Sequence, residues 1–280
     1  MNLSIKKAFD ITKDNIIVAQ PLIIFFIIIT LTTSALMQQT DKILYGVFLI
    51  ANILLATAFF AGWFYMIKQA IELNKKAENN EFASDKERNS ASFALGNKFF
   101  DGVGEYFVPV SYTIITYVVV YGLLLFLCYE AGTHFLPDTK VDWNQFMTVA
   151  NSSVAEMQKY VFSMSYAQIK AVNLWMFYLG SCVSIFAFLT MFLFPALFDK
   201  KDFVFFVPFQ AFNRNLMFVF KHFFPSLVLL IFIFFLNIIL SFLSIIFNIN
   251  VVLSVIGLLI SFYFMTYVMV LVFLYYEDNK

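Results

Sequence analysis

Six long apolar runs set what this chain can fold into. They lie at 21–37, 43–71, 109–128, 171–198, 225–247 and 251–276. A helix of about 20 mostly apolar residues crosses the roughly 30 Å of bilayer hydrocarbon. Inside lipid every backbone N–H and C=O must be paired within the protein, which leaves only helices or a closed barrel. The runs lack the every-second-residue alternation of barrel strands. The sequence therefore predicts an all-α, polytopic membrane helix bundle with six transmembrane helices. Composition agrees: the chain is 61% hydrophobic and 13% charged, whereas a soluble domain carries about 25% charged residues. Most of the 39 Phe are assigned to lipid-facing positions. The first run follows Lys6, Lys7 and Lys13. No small-x-small cleavage site follows it, so it reads as a retained first span.

Basic residues set the expected orientation. With the N-terminus inside, inner segments hold 14 of the Lys and Arg residues and outer segments hold 4. Cytoplasmic loops carry such an excess. Both termini and an inner loop at 72–91 are thus expected in the cytoplasm, and an outer loop at 129–170 on the far side. Acidic and basic residues balance at 18 each, so net charge gives no reason to expect nucleic acid.

Three segments approach a span in the same way, as an amphipathic stretch, then Pro21, Pro109 or Pro225, then the apolar run. Phe93, Gly96, Phe100, Val103 and Phe107 share one helical spacing with Phe209, Phe212, Leu216, Val219 and Phe223, 116 positions later. That spacing places each set on one stripe. Each stripe predicts a helix lying flat in the membrane interface and bending at proline into its span. Trp143 and Phe146 open a further amphipathic helix running to Val161 in the outer loop. Each unit ends in a hairpin of two spans, so three parallel hairpin repeats are expected over about 1–71, 92–198 and 205–276, within one membrane domain covering 1–280. The second span of each hairpin carries a small-xxx-small pair: Ala58 with Gly62, Gly180 with Ser184, and Gly257 with Ser261. Such pairs let helices approach closely.

Chemistry is sparse. Glu130, His134 and Asp138 recur every four residues, the spacing of a metal-capable helix face. Gly132 and Pro137 fall inside that stretch, and a solvated loop is the expected state, with no catalytic, cofactor or metal site. Cys128 and Cys182 are placed about 16 Å apart in depth at 1.5 Å per residue, too far for a disulfide. Lys68 is the one charge within the six runs, close enough to a span end to snorkel. No run supplies a His, Asp or Glu, the groups ion-coupled carriers keep at the midplane. Asn52, Asn173 and Asn237 are expected to bond between helices.

The sequences from Lys7-Ala8-Phe9 to Pro21 and from Gln210-Ala211-Phe212 to Pro225 carry a resemblance. The chain resembles a loose group of bacterial six-pass membrane proteins, which includes YciC-like proteins and the membrane domain fused to some glycerophosphodiester phosphodiesterases. That resemblance implies a bacterial inner-membrane location and carries no functional residues. The expected function is non-enzymatic: a scaffold, assembly partner or lipid-organising component, with membrane lipids and other membrane proteins as partners. The alternatives are a carrier or channel for an apolar or lipid-like substrate, and an outer-face enzyme working through Glu130, His134 and Asp138.

Overall fold

The computed structural model describes residues 2–37, 41–82, 84–150, 152–199, 206–247 and 249–280. The architecture is all-α, with no strand among the described residues. Among the described residues eleven α-helices follow one another: α1 Asn2–Asp14, α2 Gln20–Met37, α3 Lys42–Glu78, α4 Asp85–Phe135, α5 Trp143–Ala150, α6 Val154–Ser163, α7 Tyr166–Leu189, α8 Leu193–Asp199, α9 Val207–Lys221, α10 Phe223–Phe247 and α11 Val251–Asn279. Six stretches among the described residues are long and apolar enough to cross a membrane, and each contains one of the predicted runs. The chain is a multi-pass helical membrane protein.

Helix ends follow local chemistry. The Asp41 carboxylate accepts from the N–H groups of Ile43 and Leu44 and starts α3. Asn250 does the same for α11 through Leu253. These side chains satisfy amides that a first turn leaves unpaired. Helix α3 ends at Asn79 and Asn80, the latter with φ 55°, a left-handed conformation that Asn adopts more readily than most residues.

The chain divides into two compact units, residues 1–116 with 189–280, and residues 117–188. In the larger unit the core sits at one end of the spans. Helix α1 buries Ala8 and Ile11 and packs on α11, while α8 packs on α9 and both α3 and α11 run beside them. The buried side chains of α3 lie in its second half, from Thr57 to Ile71, and most of those of α11 lie from Phe262 to Tyr276. The opposite halves of these helices are mostly exposed. Phe64 meets Phe194 and Phe273 at ring-centroid distances of 4.6 and 5.5 Å. Phe192 meets Phe218 and Tyr275 at 4.7 and 5.6 Å. More of the Phe stand exposed than buried, and the buried ones build this aromatic core.

Proline placement differs between the three approaches. A 3-10 turn, Ile16–Ala19, separates α1 from α2, and Pro21 is the second residue of α2. A corner at His222 separates α9 from α10, where Pro225 is the third residue. Pro109, expected in a first turn, lies inside the continuous α4. Tyr106 and Val110 on either side of it are buried, and the Tyr106 ring stacks on Phe198 at 4.4 Å. Packing on both flanks holds the helix through the proline, as neighbouring elements do in membrane helices. At 51 residues, α4 is about 76 Å long at 1.5 Å per residue, more than twice the roughly 30 Å of one hydrocarbon layer.

In the smaller unit the expected amphipathic helix over 143–161 is two helices. Asp142 caps the first through Asn144 and Gln145, and Ser153 caps the second through Glu156. Capping by Ser153 starts a new helix because its hydroxyl competes for backbone donors. Helices α5 and α6 pack on each other, with Phe146 and Tyr160 rings 6.1 Å apart. Helix α4 runs through Gly132, which is buried: a Cβ there would lie 2.7 Å from the Trp175 ring. Glycine at 132 thus admits an aromatic side chain of α7 instead of ending the helix.

The cysteine expectation also changes. The Tyr178 hydroxyl donates to the Cys128 carbonyl at 2.9 Å. Cys182 lies one turn beyond Tyr178 on the same face, and the two thiols are neighbours. Both are free. Helix α4 runs on to Phe135, so Cys128 lies within the helix and not at its outer end, where the count of depth places it. Dibromobimane, which becomes strongly fluorescent once both arms are alkylated, is expected to light up the wild-type protein. Cys182→Ser should abolish the signal, and a wild type that stays dark would contradict this placement.

Candidate functional site

The amphipathic segments present their apolar residues on two faces. On α9, Ala211, Asn215, Phe218 and Val219 are buried against the core. The opposite face carries Phe206, Phe209, Met217 and Phe220, each between 62% and 66% exposed. At 100° per residue these four fall within one narrow arc, and Phe224 continues the exposed apolar surface at the start of α10. The α9 sequence holds Arg214 and Lys221 and no acidic residue. In the N-terminal part of α4, Phe93 and Phe100 are about three-quarters exposed, whereas Val103 and Phe107 are half-buried. Phe212 and Leu216 are half-buried and Phe223 is exposed. Phe146 is half-buried within the smaller unit, and the Trp143 side chain lies outside the described residues. On α1, Phe9 is exposed yet meets Tyr263 and Tyr267 edge-on at 6.5 Å.

The small residues have separate fates. A Cβ at Gly62 would stand 2.7 Å from the ring and carbonyl oxygen of Phe99. One at Gly257 would stand 2.6 Å from the Phe247 Cβ. Gly180 has nothing within 4 Å, and Ser184 is exposed. Ala58 lines an apolar cavity. The Ser261 hydroxyl donates to the Gly257 carbonyl within its own helix.

Comparison with protein-family models, with curated proteins and with solved structures gave no match.

The polar groups that organise the packed end escaped the sequence reading. Asn215 is fully buried, and its side chain accepts from the Phe192 N–H at 3.0 Å and donates to the Leu189 carbonyl at 2.5 Å. These two backbone groups are left open where α7 stops and α8 begins, ahead of Pro195, which cannot continue the hydrogen-bond ladder. Lys68 donates to the Phe198 carbonyl at 2.6 Å, and Arg214 to the Ala196 carbonyl at 3.0 Å. Two cations thus sit on the last carbonyls of α8, the favoured sign at a helix C-terminus. Lys68 is half-buried there. Trp63 donates to the Val18 carbonyl at 2.9 Å and fastens the 3-10 turn to α3. Only three-dimensional neighbours reveal these partners; periodicity carries no trace of them. Asn52 does bond between spans, accepting from Thr32 at 2.5 Å.

Charged side chains rim this end. Lys7 pairs with Glu78 at 2.8 Å, Arg88 with Asp14 at 2.6 Å, and Lys75 with Glu277 at 3.5 Å. Lys280 contacts both Asp199 and Glu277. Burial works against the Lys280 ammonium, but the two carboxylates outweigh it and its pKa is raised. Such partly exposed pairs contribute about 0–1 kcal/mol each, so they set register more than stability.

Glu130 and His134 share a turn of α4, and both are exposed. Asp138 lies beyond the helix end, where its carboxylate accepts from the Lys140 N–H at 3.1 Å. No group of three potential metal ligands converges among the described residues.

Proposed function

We propose that this chain is a non-enzymatic membrane component of the bacterial inner membrane, with cytoplasmic termini, that organises lipid and assembles partners at its packed end. The observation that carries this reading is the two-faced α9. One face is anchored in the core by Ala211, Asn215 and Phe218, and the other offers Phe209, Met217 and Phe220 outward. A helix fixed to the body of a membrane protein with an apolar ridge exposed is suited to rest in the headgroup–acyl boundary. Its charges, Arg214 and Lys221, are both basic, the sign attracted by anionic lipids. Helices α1 and α9 each end at a break before their spans, whereas α4 runs on through Pro109, so a threefold parallel repeat rests on the residue spacing that 93–107 shares with 209–223.

Gentle purification followed by mass spectrometry of bound lipids and proteins tests the reading. Each Phe withdrawn from an apolar setting removes about 1.5–3 kcal/mol. The double variant Phe209→Ser/Phe220→Ser is therefore expected to lose co-purifying lipid or partner severalfold, and His134→Ala to retain it. If His134→Ala alone abolished the cellular function while the protein stayed folded in the membrane, an enzyme acting at the α4 end would replace this reading.

A further inference from the structure

Next to the packed end, α2, α3 and the N-terminal part of α4 enclose a cavity of about 340 Å³. Its origin is in the glycines of α3 and α4. Gly62 lies against Phe99, and Gly102 against Tyr65 and the Ala61 carbonyl, each closer than a Cβ would allow. These contacts pin α4 to α3 at one level and leave the neighbouring level open. Gly96 has no side chain to fill that space, and a Cβ there would meet only Ile17 Cδ1, at 3.6 Å. Phe25 stacked on Phe59 at 4.1 Å forms the back wall. The rim residues Ile24, Ile28 and Phe100 are exposed, so the cavity opens on the apolar flank of the spans.

Its chemistry is one-sided. Gln20 is the only lining residue with a polar side chain. It is the first residue of α2, where the amphipathic segment gives way to the apolar run. The lining of α2 extends from Gln20 to Ile28, roughly 12 Å at 1.5 Å per residue. Spread over that length, 340 Å³ corresponds to a cross-section of roughly 28 Å², far below that of a helix about 10–12 Å in diameter. One hydrocarbon chain fits, and a partner helix does not.

We propose that this cavity is a binding site for a single acyl chain of a bilayer phospholipid, with the chain along α2 and the Gln20 amide at the depth of the ester carbonyl. The proposal rests on the lipid-organising reading and gives it a defined ligand class. It accounts for two features together: an apolar slot open to lipid, and one hydrogen-bonding group at the slot's polar end.

The test uses the full chain in phosphatidylcholine nanodiscs doped with a phosphatidylcholine that carries a diazirine on one acyl chain. After irradiation, labelled residues are mapped by mass spectrometry. Label is expected to concentrate on 20–28, 55–59 and 96–100. It should fall severalfold in Gly96→Leu and in Ala58→Leu, which fill the slot from opposite walls. Gly104→Leu, where nothing lies within 4 Å, should leave labelling unchanged, as should Phe209→Ser/Phe220→Ser. Even label over all six spans would overturn the proposal, and so would an equal loss in Gly104→Leu. Label carried only by a diazirine fatty acid would overturn the assignment to phospholipid. Should one filling variant fail to fold, the other and the wild-type map still decide. Loss of partners in the α9 variant with slot labelling intact separates this proposal from the wider reading.

Discussion

Asn215→Leu is expected to destabilise the protein by about 2–6 kcal/mol, the largest effect of any single substitution considered. The side chain bridges the Phe192 N–H and the Leu189 carbonyl at the break between α7 and α8, and it is fully buried. Leucine is of similar size but can neither donate nor accept. Each buried backbone group left without a partner costs about 1–3 kcal/mol. Asn213, two residues away and exposed, is the matched control, and Asn213→Ala should stay within about 0.5 kcal/mol of wild type. Thermal unfolding in mild detergent, followed by helical circular dichroism, reads both. A wild-type transition for Asn215→Leu would mean that the α7–α8 break is held by something else.

The second large effect is a contrast between glycines. Gly62→Ala and Gly102→Ala each introduce a Cβ that cannot be accommodated as the helices stand. At Gly62 it would sit 2.7 Å from the Phe99 carbonyl oxygen, and at Gly102 it would sit 2.5 Å from the Tyr65 Cβ. Backbone must move, and overpacking of this kind costs about 1–3 kcal/mol. Gly104→Ala, in the same helix, meets open space. Alanine there should be neutral or should stabilise by up to about 1 kcal/mol, since glycine is the poorer helix former. The same unfolding measurement applies. Equal behaviour at positions 62, 102 and 104 would show that α3 and α4 do not cross at these glycines. The lipid slot shares this crossing, so a misplaced crossing would remove it as well.

Much of the architecture was legible in the residues. The six spans follow from hydropathy summed over about 20 positions, which the bilayer thickness converts into helices. The amphipathic stripes at 93–107 and 209–223 follow from helical spacing; the first lies within α4 and the second runs along α9 to the corner at His222. The start of α5 at Trp143 follows from the same spacing. Gly132 shows the limit of such local rules. In isolation it reads as a helix breaker, yet it lies within α4 because the Trp175 ring occupies the space a side chain would need. Pro109 and Pro195 make the same point in opposite directions. The first is carried through a continuous helix by buried neighbours, and the second stands just after a true break.

What the sequence alone determined is the place and the apolar character of each span, because these depend on residues a few positions apart. What only the tertiary structure decided is which apolar face meets protein and which meets lipid. On α9, Phe218 is buried and Phe220 is exposed, although both are phenylalanines two residues apart. A lipid tail is as apolar as a leucine side chain, so in a membrane hydropathy cannot separate the two surroundings. The decision falls to groups with directional or steric demands: Asn215 at an open helix end, Lys68 at the α8 carbonyls, and Gly62 and Gly102 where helices cross. Their partners lie tens of residues away, and the fold alone brings them together.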